Sequence, residues 1–108
     1  MNRIDRIREM ERCLNASRAA VDALTQAFDA YEAVQKDYKK LSDYYGSPQW
    51  MKDFEADEAG KLPADLKRGV LSEDAVYDLI TDNHDLVIRM LKAITAALEN
   101  RTLQRIAE

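Results

Sequence analysis

The sequence predicts an all-α fold: an antiparallel hairpin of two long helices, with a short third helix and an ordered loop packed over its closed end. Three observations carry this expectation. Every helix breaker lies in one window, at Gly46, Pro48, Gly60, Pro63 and Gly69, so the long stretches on either side hold none. On both flanks apolar residues recur at heptad spacing, which marks helices with one buried face. Charged residues make up 33% and hydrophobic residues 46% of the 108 positions, a balance that suits packed helices rather than a disordered chain.

A first helix is expected over about 2–45. Ile7, Leu14, Val21 and Phe28 occupy one heptad position, and Met10, Leu24, Tyr31, Tyr38 and Tyr45 the position three residues later, with Ser17, Gln35 and Ser42 as exceptions. Cys13, Ala20, Ala27, Val34 and Leu41 widen the stripe on one side. A stripe of this breadth belongs to a helix set between neighbours more than to a two-stranded zipper. Unbroken, such a helix is roughly 65 Å long at 1.5 Å per residue. A break near 35–40 is the alternative.

Gly46 then offers a left-handed cap, and Ser47-Pro48 reads as an N-cap followed by proline in the first turn. A short helix is expected over about 48–58, with Trp50 and Phe54 on one face and Gly60 ending it. Residues 59–72 read as a loop with one helical turn at 63–67, pinned by Leu62, Leu66, Val70 and Leu71. Ser72 is the expected cap of a last helix over about 73–106, with Glu73 and Asp74 favoured by the positive end of its dipole. Its stripe reads Tyr77, Ile80, His84, Val87, Leu91, Ile94 and Leu98. The open end of the hairpin is rich in alanine, at Ala16, Ala19, Ala20, Ala23, Ala93, Ala96 and Ala97, which would admit a second subunit closely. A single domain over 1–108 is the natural organisation at this length.

Composition also excludes classes of function. A formal net charge of −4, with residues 73–85 carrying five acids and no Lys or Arg, argues against a nucleic-acid binder. The lone cysteine, Cys13, precludes an intrachain disulfide and fits a reducing compartment. The opening residues alternate charge with apolar side chains and lack the apolar core of a secretory signal. No run approaches the 18 or so apolar residues of a membrane span. The expectation is a soluble protein of the bacterial cytoplasm, without a membrane partner and without a cofactor.

The stretch Tyr44-Tyr45-Gly46-Ser47-Pro48, Trp50, and Asp53 to Glu58, followed by Leu62 to Ala75 with Tyr77-Asp78-Leu79, resembles a family of small bacterial helical proteins known as domain of unknown function 4298. The resemblance is specific over 44–79 and loose in the heptads. It implies a compact helical domain and carries over no catalytic residue.

Candidates for chemistry are few. Glu55 and Glu58 stand three apart on the short helix, and Asp82 and Asp85 repeat that spacing on the last one. Oxygen ligands in such pairs suit Mg²⁺, Mn²⁺ or Ca²⁺, and the pattern faintly resembles that of all-helical nucleotide pyrophosphohydrolases. In a chain with 20 acids the same spacing also describes a solvated helix face. His84, the single histidine, falls within an apolar stripe and reads as a core or interface residue, and one His with one Cys serves zinc poorly. In the hairpin, Cys13 and His84 lie roughly 30 Å apart at 1.5 Å per residue, too far for a nucleophile and its base. Gly60-Lys61 lacks the remaining elements of a phosphate loop.

Trp50 and Phe54, with Tyr44, Tyr45 and Tyr77, concentrate near the closed end, beside Asp57 and the basic pair Lys67-Arg68. They read either as a small core or as anchors for a partner, since Trp and Tyr dominate interface hot spots. The preferred function is a self-associating interaction or adaptor module that presents the 46–72 segment, with Trp50, Phe54, Asp57, Lys67 and Arg68 as partner-binding candidates. The alternative is a metal-dependent hydrolase of nucleotides or phosphate esters using Glu55, Glu58, Asp82 and Asp85. On balance the sequence reads as a non-enzyme.

Overall fold

The structure, a computed structural model, describes residues 2–100. It is all-helical: α1 spans Arg3–Ala33, α2 Gln35–Tyr44, α3 Pro48–Glu58 and α4 Ala75–Leu98, with a 3₁₀ turn at Gly69–Leu71 before α4. Among the described residues there is no strand, and no helix is long and apolar enough to cross a membrane. The chain divides into two compact units, residues 1–40 and 41–108.

The first unit is formed by α1 and the start of α2. Asn2 caps α1, its side-chain oxygen accepting the Asp5 N–H at 2.8 Å, which satisfies one of the donors left unpaired at a helix start. Ion pairs run along its surface: Arg12 reaches Glu9 at 2.6 Å and Arg18 reaches Asp22 at 2.9 Å. The Arg12 guanidinium holds the Glu9 carboxyl below the usual carboxylate range. No residue of α1 is buried.

The single helix expected over 2–45 is interrupted once. Val34 has φ −100° and ψ 4°, off the helical basin, and separates α1 from α2. Neither Gly nor Pro causes this. Val34 is β-branched and so weakly helix-favouring. The side-chain amide of Gln35 takes over the Tyr31 carbonyl, donating at 3.1 Å. Helical bonding resumes at once, with the Tyr38 N–H on the Val34 carbonyl at 2.8 Å.

In the second unit, backbone punctuation sets the path. Gly46 has φ +79° and Gly60 φ +70°, left-handed conformations that cost any residue with a Cβ. At Gly60 the helix end is a Schellman motif: Lys61 N–H bonds the Ala56 carbonyl and Gly60 N–H the Asp57 carbonyl, both at 3.0 Å. Between these glycines α3 is started by Ser47, whose hydroxyl oxygen accepts the Trp50 N–H at 3.1 Å, with Pro48 in the first turn.

The helical turn expected at 63–67 is only a turn, closed by Leu66 N–H on the Pro63 carbonyl at 3.2 Å. The helical turn forms later, at Gly69–Leu71. The last helix begins at Ala75 rather than 73, with Asp74 in place of the expected Ser72 at its N-cap position and no capping bond from the Asp74 side chain. The Ser72 hydroxyl donates to the Gly69 carbonyl at 2.7 Å and accepts the Ala75 N–H at 3.2 Å, so one side chain links the 3₁₀ turn to the first residue of α4. α4 ends at Leu98, and the expected continuation through 101–106 lies outside the described residues. The buried core of the described chain is Trp50, Leu71 and Val76, at 9%, 6% and 3% exposure, all in this unit.

Candidate functional site

Three of the aromatic residues, Tyr45, Trp50 and Phe54, form one cluster. The Ser47 cap fixes the first turn of α3 and with it Trp50, and one turn on Phe54 shares its face. The two rings stack, centroids 5.2 Å apart and 17° from parallel. Tyr45 meets Trp50 edge-on at 5.3 Å and 71°. Both arrangements suit the quadrupoles of the rings.

The indole N–H of Trp50 donates to the Val70 carbonyl at 2.8 Å, which ties α3 to the 3₁₀ turn. The Tyr45 hydroxyl reaches the Glu73 carbonyl at 3.4 Å, a long and weak bond. Arg68 crosses back to α3, its Nη1 on Asp57 Oδ1 at 2.8 Å with both side chains partly shielded. Trp50, through Val70, and Arg68 thus hold the middle and the start of the 3₁₀ region against the same short helix.

A second polar group lies at the start of α3. The Tyr44 hydroxyl donates to Asp53 Oδ2 at 2.6 Å, and the Gln49 side-chain amide donates to Oδ1 at 3.0 Å. This strong bond to a carboxylate, with some burial and the Asp53 charge beside it, pushes the Tyr44 hydroxyl up to about 12. Tyr44 is therefore a fixed donor across the neutral range and offers no titrating group for acid–base work.

Beside the 3₁₀ turn is a cleft of about 360 Å³, walled by Leu41, Val70, Val76 and Leu79 and rimmed by Lys67. Lys67 is exposed. The cleft is apolar apart from that cation, and nothing in its wall could act as a nucleophile or base.

The structure places the sequence-derived candidates as follows. Trp50, Phe54, Asp57 and Arg68 come together, Trp50 buried and Asp57 paired with Arg68. Lys67 stands at the cleft rim, outside that pair. Glu55 and Glu58 are exposed on α3, and Asp82 and Asp85 are exposed on α4. Among the described residues, no group of three or more His, Cys, Asp or Glu is placed to hold a metal ion. His84 is exposed rather than buried in a core. Cys13 lies in the first unit, half-buried, 3.9 Å from a Glu9 oxygen and 3.7 Å from an Arg12 nitrogen. Sequence reasoning missed the Tyr44–Asp53 bond, the Val70 carbonyl as indole acceptor, and Leu41 and Leu79 as cleft walls. The nine-residue step from Tyr44 to Asp53 matches no helical spacing, and a backbone acceptor leaves no trace in a sequence.

The sequence profile of domain of unknown function 4298 matches residues 7–93. The chain belongs to this family. The match takes in nearly all of α1 and the whole clustered segment from Tyr44 to Val76. No curated protein and no solved structure matches the chain. A domain of unknown function 4298 carries no reaction in its description, so any chemistry has to be argued from the residues above.

Proposed function

We propose that this chain is a helical interaction module that self-associates through the apolar faces of its long helices and presents the 46–72 segment to a protein partner. The supporting observation is the openness of those faces. On α1, Ile7, Met10, Leu14, Val21, Leu24 and Phe28 are each at least half exposed, and on α4 so are Tyr77, Leu91, Ile94 and Leu98. Contiguous apolar surface on this scale marks a binding face rather than a solvated one. Helices of this kind draw most of their stability from packing, so an uncovered stripe calls for a neighbour.

The same proposal includes the antiparallel hairpin within one domain over 1–108, since the stripe of α1 is broad enough to take α4 on one side and a second copy on the other. It also keeps the chain in the bacterial cytoplasm, which a single unpaired cysteine suits. Within the 46–72 segment, Lys67 is the charge that a partner docking on the apolar cleft would meet. Trp50, Phe54, Asp57 and Arg68 act by fixing that surface in place.

Sedimentation velocity from low to high micromolar concentration tests the proposal. Conversion of monomer to a discrete oligomer is expected, and a strictly monomeric chain at high micromolar concentration would overturn self-association. No observation favours the metal-dependent hydrolase, because Glu55, Glu58, Asp82 and Asp85 all face solvent.

A further inference from the structure

We propose that the neighbour covering α1 is a second copy of α1, laid antiparallel about a twofold axis. This rests on the self-association reading above and specifies its element and orientation. The first support is that the open stripe runs the length of α1, from Ile4 to Phe28, with no residue of the helix buried.

The second support is charge. Residues 3–18 carry five arginines against three acids, net +2, whereas residues 19–33 carry Asp22, Asp29 and Glu32 and no cation, net −3. A second copy running antiparallel sets the basic half of each helix against the acidic half of the other, twice by symmetry. A parallel copy sets like against like. This match is a property of the helix with itself, and it needs no other protein.

The heptad agrees. When the helices overlap over nearly their whole length, Leu14 faces Leu24 of the second copy, Met10 faces its Phe28, and the axis falls level with residue 19, beside Ala20, which is small enough for close approach. Arg18 is the one charge that meets its own copy near the axis. Asp22 of the same helix already neutralises it, at 2.9 Å.

The test is a distance. In the full chain carrying Cys13→Ser and Ala30→Cys, a spin label at position 30 reports on its copy by pulsed electron resonance. Antiparallel pairing places the two positions about 33 Å apart along the axis at 1.5 Å per residue. Parallel pairing, with axes roughly 8–10 Å apart, leaves the labels within about 20 Å, and such a distance would overturn the orientation. Reversing the acidic half with Asp29→Arg and Glu32→Arg should weaken association at least tenfold, and adding Arg6→Glu and Arg8→Glu should restore it. Val21→Glu should give monomers while the fluorescence of Trp50, in the other unit, stays native. Oligomers that survive Val21→Glu unchanged would remove α1 as the seam yet leave self-association standing. A wild-type chain that never leaves the monomer would remove both.

Discussion

Trp50 is where the second unit is most vulnerable, and the cost of altering it can be worked from its contacts. The residue is 9% exposed, stacked on Phe54, edged by Tyr45 and hydrogen-bonded through its indole nitrogen to Val70. A Trp side chain buries about 150–250 Å², worth roughly 4–6 kcal/mol at 25 cal/mol per Å² as an upper bound. Measured aromatic-to-alanine losses of about 3–5 kcal/mol agree. Trp50→Ala should therefore remove about 3 kcal/mol or more, a large part of the 5–15 kcal/mol that holds a whole domain. Trp50→Phe keeps a ring against Phe54 and loses the indole bond. Val70 is partly exposed, so water can reach its abandoned carbonyl, and the loss should be about 1–2 kcal/mol. For a unit of this size 1 kcal/mol moves Tm by about 4–8 °C. Far-UV circular dichroism against temperature would read both variants. A Trp50→Ala protein melting within a degree of wild type would refute the assignment of this ring as the core of the unit, and a Phe variant as damaged as the Ala variant would show the hydrogen bond, not the stack, to be decisive.

Three further outcomes follow from single residues. Because the Tyr44 hydroxyl is pushed up to about 12 from an ordinary value of 10.0, its neutral form is favoured in the folded state. The stability it adds is fully present below pH 10 and is lost as pH rises towards 12; an alkaline denaturation profile should show that loss in wild type and not in Tyr44→Phe. Gly60→Ala should cost about 1–2 kcal/mol from backbone conformation alone, since a Cβ at Gly60, with its φ of +70°, meets nothing within 4 Å; an unchanged midpoint in urea would mean the left-handed cap is not maintained in solution. A thermal-shift series with Mg²⁺ and Mn²⁺ should be flat, whereas true binding at a hundredfold excess over Kd adds about 2.7 kcal/mol. A metal-dependent rise that disappears in Glu58→Ala would reinstate the paired-carboxylate reading.

Much of the local structure is legible in the sequence because it is fixed by residues close in the chain. Gly46, Ser47-Pro48 and Gly60 act on the backbone within a turn of themselves, and the four-residue step from Trp50 to Phe54 places both rings on one face. The break at Val34 was legible only as the alternative of an interruption near 35–40: it is made by a β-branched residue and a glutamine amide, neither of which is a stop signal alone. The 3₁₀ turn was missed for a related reason. It is closed by backbone bonds from Leu71 and Ser72, and the Ser72 hydroxyl adds a bond to Gly69 while accepting the Ala75 N–H, whereas a one-dimensional reading assigns that side chain to a cap alone. Pairing between segments was the least legible, since Asp57 and Arg68 carry no mark that they are each other's partner.

That pair supports one last prediction. Asp57 and Arg68 read from the sequence as charges offered to a partner, yet they lie 2.8 Å from each other. Their side chains are 24% and 34% exposed, so the attraction is partly screened and its coupling energy should stay at about 1 kcal/mol or below. A double-mutant cycle with Asp57→Ala and Arg68→Ala measures that coupling directly by chemical denaturation. If the pair is structural, the coupling falls on raising the salt concentration and both single variants lose similar stability. If the two variants prove independent, the ion pair does not hold the 3₁₀ region in solution. Arg68 would then be free to face outward beside Lys67, and the surface offered by the 46–72 segment would gain a further cation.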